Sequence, residues 1–161
     1  MTLLHHEARN ATQADAAKIS TLIRSLSGPF LVSPDGLGAG RFLDSITEQA
    51  VRSYISASNF SYLVAEIDSE LVGVVALRDH SHLHHLFVAQ AHQGKGVGRN
   101  LWLSVKLAAF RATNSGRFTV NSSLNAIPVY ERFGFIASSP KVEKNGVVFL
   151  PMHLMVGGKG G

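Results

Sequence analysis

Gln93-Gly94-Lys95-Gly96-Val97-Gly98-Arg99 is the stretch of sequence that decides the fold. Glycines at alternate positions let the backbone curl with its N–H groups pointing inward. An apolar run ends at Val88 just before this stretch, and a helix-like segment, residues 101–109, follows it. The N-terminus of that helix would add partial positive charge. The stretch therefore predicts a strand–turn–helix unit that binds an anion, and we expect that anion to be a pyrophosphate.

The spacing of the glycines excludes two common phosphate-binding turns. No Lys-Ser or Lys-Thr follows them, as a P-loop requires. The third glycine of a dinucleotide fingerprint would fall on Arg99 or Leu101. What remains is Q-x-x-G-x-G, and this pattern resembles the acetyl-CoA-binding turn of the GNAT superfamily of N-acetyltransferases. The resemblance implies that the following residues bind the cofactor: Gln93, Gly94, Lys95, Gly96, Val97, Gly98 and Arg99. A flexible strand-to-helix connector is the alternative.

Length and composition indicate one globular domain. The chain has 161 residues, of which 45% are hydrophobic and 16% charged. We expect the domain to span residues 1–156 and residues 157–161 to form a flexible glycine-rich tail. The chain contains no cysteine, which excludes disulfides, a cysteine nucleophile and thiolate metal ligands and fits the cytoplasm. No signal peptide or membrane-spanning segment is visible, so no membrane partner is expected.

The charge balance is basic, with 15 Lys and Arg against 11 Asp and Glu. Such a balance is typical of proteins that bind nucleic acid. Because the charges are scattered along the chain, no nucleic-acid partner is expected. Several lie around the glycine turn: Lys95, Arg99, Lys106, Arg111 and Arg117. The phosphates of CoA would account for such a basic rim. A solvated helix face explains Lys106 and Arg111 equally well.

The order of predicted elements gives the fold class. Thr12 and Asp15 predict a helix N-cap, and a second helix is expected over residues 41–56. Strands are expected at residues 3–9, 60–67, 71–78, 82–88, 118–121, 134–137 and 147–156, and later helices at 98–113 and 125–132. This order predicts an α/β fold and resembles the GNAT fold over nearly the whole chain. The resemblance implies a single GNAT-like domain with a mixed, mostly antiparallel central sheet and helices on both faces.

A second motif lies between residues 125 and 135 and ends in Gly134-Phe135. It resembles the GNAT element whose tyrosine lies near the CoA sulfur, which implies that Tyr130 is a catalytic general acid. A half-buried aromatic side chain is the alternative. The family usually has an asparagine seven residues before this tyrosine, where this chain has Ser123. We therefore assign the contact with the CoA arm to Ser123 or Asn121, and expect Asn125 to cap the helix.

The strand before the glycine turn supplies further candidates. The resemblance implies a β-bulge there, with backbone groups of Leu86, Phe87 and Val88 binding the amides of pantetheine.

Four histidines lie on or just before the same strand, and they offer a general base. His80, His82 and His84 would share one face by strand alternation, and His85 would lie on the other. His84 and His85 lie nearest the expected position of the acetyl group and are the catalytic candidates. A zinc site is a rival interpretation, but next-nearest residues on a strand converge poorly on one ion, so no metal is expected. Surface or sheet-face histidines are a further alternative.

The function predicted from these features is transfer of an acetyl group from acetyl-CoA to a primary amine. Direct attack in a ternary complex is expected because no cysteine can hold an acyl group. The acceptor, a small-molecule or peptide amine, cannot be identified from the sequence. A catalytically silent CoA-binding sensor is the alternative. The sequence leaves open whether the protein forms a homodimer. The predicted contact for such a dimer is a sheet edge near residues 147–156.

Overall fold

A computed structural model describes residues 8–112 and 116–156 of the chain. Within them an eight-stranded sheet is surrounded by five α-helices. The strands are β1 (Ala8–Asn10), β2 (Phe60–Ile67), β3 (Glu70–Arg78), β4 (His82–Val88), β5 (Arg117–Ser122), β6 (Ile136–Ala137), β7 (Val142–Lys144) and β8 (Val147–Met155). The helices are α1 (Ala16–Ser25), α2 (Gly40–Asp44), α3 (Glu48–Ser56), α4 (Val97–Ala112) and α5 (Ile127–Arg132). The predicted tail, and residues 3–7 of the predicted first strand, lie outside the described residues.

The sheet has the order β1-β2-β3-β4-β5-β8-β6, with β7 beside β8. All pairs are antiparallel except β4 and β5. The parallel pair follows from the chain path, because α4 crosses over between these two strands. The predicted mixed and mostly antiparallel sheet is confirmed.

Helices cover both faces of the sheet, as predicted. On one face α1 and α3 pack against Val64 and Val74, together with Ile19 and Val51 from the helices themselves. On the other face α4 packs against Val75 and Leu77, with Trp102 fully buried between helix and sheet. Residues 74 and 75 point to opposite faces because strand side chains alternate. The predicted cap at Thr12 and Asp15 is confirmed as a capping box before α1.

The single helix predicted over residues 41–56 is wrong. The chain forms α2, a break, and then α3. The Ser45 hydroxyl donates to the carbonyl of Phe42, and the Thr47 hydroxyl accepts from the N–H of Ala50 at 3.1 Å. These short polar side chains satisfy helix-end backbone groups, so one helix ends and another begins where apolar spacing alone suggested continuity.

The predicted free sheet edge at residues 147–156 is also wrong. β8 pairs with β5 on one side and with β6 and β7 on the other, so it lies inside the sheet. β7 was not predicted. Its signal was the dipeptide Asn145-Gly146, whose positive φ values of 51° and 75° suit a tight hairpin turn.

Gly73 on β3 lets the first turns of α4 approach the sheet closely. A Cβ atom at this position would lie 2.9 Å from Leu101 Cδ1 and 3.0 Å from Val97 Cγ1. We expect Gly73→Ala to destabilise the fold by about 1–3 kcal/mol through overpacking. Because Val97 begins α4, the variant should also displace the preceding glycine turn. Urea unfolding and CoA titration measure the two effects, with Gly28→Ala as the control because a Cβ there meets nothing within 4 Å. Wild-type stability in Gly73→Ala would contradict this close packing.

Candidate active site

The glycine turn joins β4 to α4. β4 ends at Val88, a short 3-10 turn covers Gln90–His92, and α4 begins at Val97. Gly94 and Gly96 have φ values of 77° and 88°, which L-residues with a side chain rarely adopt. The first main-chain hydrogen bond of α4 runs from the N–H of Asn100 to the carbonyl of Gly96 at 3.0 Å. The predicted strand–turn–helix unit is confirmed.

The N–H groups of this turn are unused. From Gly94 to Arg99, none donates a hydrogen bond of standard geometry within the described part of the chain. The first N–H groups of any α-helix lack internal partners, and here the preceding turn adds more of them. A Cβ atom added at Gly94 or Gly96 would meet nothing within 4 Å, so the turn borders open space. This arrangement fits an anionic group such as a phosphate.

Side chains around the turn divide into two groups. Lys95 and Arg99 are exposed and lie within the turn and the first turn of α4. Gln93 instead holds the turn against the strand, since its Nε2 donates to the carbonyl of Val88 at 2.9 Å. Lys106 lies farther along α4, with Nζ 5.5 Å from the centroid of the Trp102 ring, where it makes a cation–π contact.

β4 and β5 separate next to the glycine turn. They pair only at His82 with Thr119 and at Leu83 with Val120. On the other side of β4 the N–H of Ala89 donates to the carbonyl of Val72 in β3 at 2.8 Å. Because antiparallel partners alternate, the backbone groups of Phe87 face β3, whereas those of Leu86 and Val88 face the gap beside β5. The expectation that backbone groups of Phe87 bind the pantetheine amides is therefore wrong. Leu86 and the N–H of Val88 supply the unpaired groups in the gap, because the Val88 carbonyl accepts from Gln93.

A β-bulge on β4 changes the predicted arrangement of the histidines. Ala76 pairs with His85 and Leu77 with Leu83, so His84 is the extra residue. The His84 and His85 ring centroids are 4.4 Å apart. Both rings contact Tyr54, at 4.9 Å and 5.7 Å. The prediction that they lie on opposite faces is wrong, because a bulge interrupts strand alternation. The bulge implied by the resemblance is present on this strand, two residues before Leu86.

His85 is a buried, neutral side chain with a fixed partner. It is 6% exposed, and its Nδ1 lies 2.9 Å from the hydroxyl of Tyr62. Burial, and then the neighbouring His84, lower the pKa of His85 well below its usual range. Burial also raises the pKa of Tyr62, so its hydroxyl keeps its proton. His85 is therefore placed to orient neighbouring groups and is poorly placed to exchange protons with solvent.

His84 has a buried nitrogen with no partner. Its Nε2 atom is inaccessible to solvent and makes no hydrogen bond with any described residue. Burial, followed by the positive charges of Arg78 and His82, lowers the pKa of His84 from 6.5 to about 4. The imidazole is consequently neutral near pH 7. An orphaned nitrogen at this depth is costly unless a ligand or water meets it.

Tyr130 lies on α5 with its ring against Phe133 and Phe135, at 6.2 Å and 5.8 Å between centroids. It is 6% exposed. Its hydroxyl makes no hydrogen bond with the residues that the structure describes. Burial raises the pKa of Tyr130, so the hydroxyl holds its proton throughout the physiological range. The geometry is compatible both with a proton donor and with a core aromatic residue.

The polar residues after β5 differ from the predicted arrangement. Asn125 caps no α-helix: residues Leu124–Ala126 form a 3-10 turn, and α5 begins at Ile127. The Ser123 hydroxyl donates to Oδ1 of Asn125 at 2.8 Å and is largely buried. Asn121 is exposed on β5. The expected cap was wrong because Asn125 makes this local side-chain bond instead, while Pro128 occupies the first turn of α5.

An aromatic surface next to β4 was not predicted. Its members come from the segment after α1, from α2 and α3, and from β2 and β4: Phe30, Phe42, Tyr54, Phe60, His84, His85 and Phe87. Apart from His85, each of these side chains is half-buried. The aromatic residues of the 30–60 region were the available signal, but only the fold shows that they meet the histidines.

Two other properties concern ions and membranes. Residues 8–112 and 116–156 contain no group of three or more His, Asp or Glu side chains arranged to hold a metal ion. Among these residues no helix has the length and apolar character needed to cross a bilayer.

Comparison with known proteins establishes the family. A sequence model described as "Acetyltransferase (GNAT) domain" matches residues 31–156. The sheet topology, the glycine turn and this match define a GNAT N-acetyltransferase, and the chain belongs to that family. No curated protein matches the chain by sequence.

Solved structures share the fold at low sequence identity. A GCN5-related N-acetyltransferase from Rhodopseudomonas palustris superposes with a TM-score of 0.76 at 22% identity, covering 97% of this chain and 99% of its own. The PaiA N-acetyltransferase of Thermoplasma acidophilum, in complex with coenzyme A, gives 0.76 at 14% identity, with coverages of 95% and 100%. A chimera of the Vibrio cholerae spermidine N-acetyltransferase SpeG gives 0.64 at 19%, with coverages of 93% and 95%. The GNAT fold is thereby confirmed.

Proposed function

We propose that the protein transfers an acetyl group from acetyl-CoA to a primary amine, with both substrates bound at once. The observation that supports this most strongly is the row of unused N–H groups from Gly94 to Arg99, beside the gap between β4 and β5. A diphosphate fits the first feature, and an extended chain bearing amides fits the second. The relative from Thermoplasma acidophilum, solved with coenzyme A, has the same fold.

In this proposal different residues bind different parts of acetyl-CoA. The N–H groups between Gly94 and Arg99 bind the diphosphate, with the charges of Lys95 and Arg99 nearby. Leu86 and Val88 bind the pantetheine amides through their backbone groups. Ser123 or Asn121 binds the arm from the other side of the gap.

The bound thioester supplies an activated acyl carbon, and the chain supplies position and proton transfer. His84 Nε2 accepts a proton from the attacking amine, directly or through one water molecule, once a neighbouring side chain moves to uncover this atom. The C–N bond forms as the C–S bond breaks, and Tyr130 donates its proton to the sulfur. The Tyr130 phenolate then regains a proton from solvent or from His84. No acyl-enzyme step is needed, since the chain has no cysteine.

A catalytically silent CoA-binding sensor is the competing function. An assay of thiol release from acetyl-CoA over a panel of amines separates the two functions. An enzyme releases CoA only when an acceptor amine is present. A sensor binds CoA, by calorimetry, but releases none with any amine.

The pH dependence of kcat/KM tests the role of His84. Since its pKa is lowered to about 4, its imidazole is already neutral at pH 6. We expect log kcat/KM to rise steadily between pH 6 and pH 8 because only the acceptor amine, with a pKa near about 10, loses its proton there. His84→Gln should lower kcat by about 10²-fold and keep the same slope. His153→Gln, on β8, is the control. An inflection near pH 6.5 that disappears in His84→Gln would contradict the buried, neutral state.

A further inference from the structure

The aromatic surface defined above forms one continuous series of ring contacts. Phe42 contacts Phe30 at 5.5 Å between centroids, and Phe30 contacts Phe87 at 6.4 Å. Phe87 contacts His85 at 5.8 Å, which adjoins His84. Tyr54 and Phe60 complete the series, at 4.9 Å and 5.2 Å from the His84 ring. Rings at these separations pack favourably against one another and form a largely apolar wall.

This wall lies beside the gap in the sheet. Phe87 stands between Leu86 and Val88, whose backbone groups face the gap, and its side chain points to the opposite face from α4. His84 is the residue at which β4 leaves β5. An amine that approaches an acyl group held in the gap from this face would therefore lie against the aromatic surface.

The electrostatic environment of the surface disfavours an acceptor with several positive charges. The three side chains of the surface that can form hydrogen bonds, those of Tyr54, His84 and His85, have no carboxylate partner among the described residues. The charged group that acts on Tyr54 and His84 is Arg78, which is positive. A polyamine would thus bring its distant ammonium groups toward Arg78 and toward polar side chains that have no carboxylate partner.

Polar recognition is limited to one position. Within the surface, the buried Nε2 atom of His84 has no hydrogen-bond partner, whereas Nδ1 of His85 is occupied by Tyr62 and the Tyr54 hydroxyl donates to the carbonyl of Ser45 at 2.9 Å. Because this atom is also inaccessible to solvent, an amino group can hydrogen-bond to it only after a neighbouring side chain moves aside, and the surface meets the remainder of the molecule by apolar contact.

We infer that the acceptor is a primary amine with an aromatic or similarly apolar body and no second cationic group. This inference rests on the proposed acetyl transfer, and it differs from the acceptor named for the SpeG relative. Rings of Phe30, Phe42 and Phe87 hold the apolar body, and His84 meets the amino group.

The first test compares acceptors with the unmodified protein. Thiol release from acetyl-CoA is measured with 2-phenylethylamine, n-butylamine and spermidine at one pH and ionic strength. We expect kcat/KM for 2-phenylethylamine to exceed that for spermidine by at least about tenfold, with n-butylamine between them. A preference for spermidine would overturn the inference and leave acetyl transfer intact. Failure to turn over any of the three amines would overturn both the inference and the proposed acetyl transfer.

The second test assigns the preference to the surface. Phe30→Ala should raise KM for 2-phenylethylamine about tenfold while KM for acetyl-CoA stays unchanged. Phe42→Glu should shift the preference toward spermidine, because it adds a negative charge to the surface. Phe110→Ala, at an exposed aromatic residue on α4, is the matched control and should leave both substrates unaffected. Unchanged preference in both Phe30→Ala and Phe42→Glu would overturn the assignment.

Discussion

Gly96→Glu is expected to abolish detectable binding of acetyl-CoA. Gly96 has a φ of 88° and borders the open space that the unused N–H groups face. Glutamate introduces a side chain and a negative charge where a diphosphate is expected. It also strains the backbone by about 1–2 kcal/mol, since side chains disfavour the left-handed region. Isothermal titration calorimetry with CoA measures the loss.

Two further variants separate charge from strain. Gly96→Ala has the strained backbone without the charge, and should weaken CoA binding much less than Gly96→Glu. Gly40→Glu adds the same charge at an exposed glycine where a Cβ meets nothing within 4 Å, and should bind CoA like the wild type. Circular dichroism confirms that each variant is folded. If folded Gly96→Glu binds CoA with wild-type affinity, the turn is not part of the cofactor site.

Tyr130→Phe is expected to lower kcat by about 10²-fold with little change in KM for acetyl-CoA. The substitution removes only the hydroxyl, and the ring contacts with Phe133 and Phe135 remain. Because no described residue accepts a hydrogen bond from this hydroxyl, its loss should leave the stability of the fold nearly unchanged. Steady-state kinetics and thermal unfolding measure the two quantities.

The basicity of the leaving thiol distinguishes a proton donor from a core residue. With an acetyl thioester of an acidic aromatic thiol, the departing sulfur needs no proton. The ratio of wild-type kcat to Tyr130→Phe kcat should therefore fall toward one. A core role predicts the same kcat ratio with both thioesters. The same ratio with both, or an unchanged kcat with acetyl-CoA, would show that Tyr130 has a packing role only.

Local motifs made the fold and the cofactor turn predictable from sequence. Glycines at 94 and 96 can adopt the positive φ values that the turn requires, so their spacing marks the turn in the sequence without knowledge of the tertiary structure. The order of strands and helices followed from apolar periodicity. Where short polar side chains act, as at Ser45 and Thr47, the same periodicity failed, because hydrogen bonds to helix ends outweigh a favourable apolar spacing.

The geometry of the histidines could not be predicted from sequence. A bulge at His84 depends on the register between β3 and β4, and that register is set by pairing over the whole hairpin. Strict alternation therefore placed His84 and His85 on opposite faces. The aromatic surface was missed for a related reason. Phe30, Phe42 and Tyr54 are separated in sequence from β4, and only tertiary packing brings their rings to the histidines.

The most direct test of the whole account is a crystal structure with bound CoA. We expect the diphosphate oxygens to accept hydrogen bonds from the N–H groups between Gly94 and Arg99, and the pantetheine to lie in the gap between β4 and β5 against Leu86 and Val88. A diphosphate bound elsewhere, with those N–H groups facing only solvent, would contradict the account.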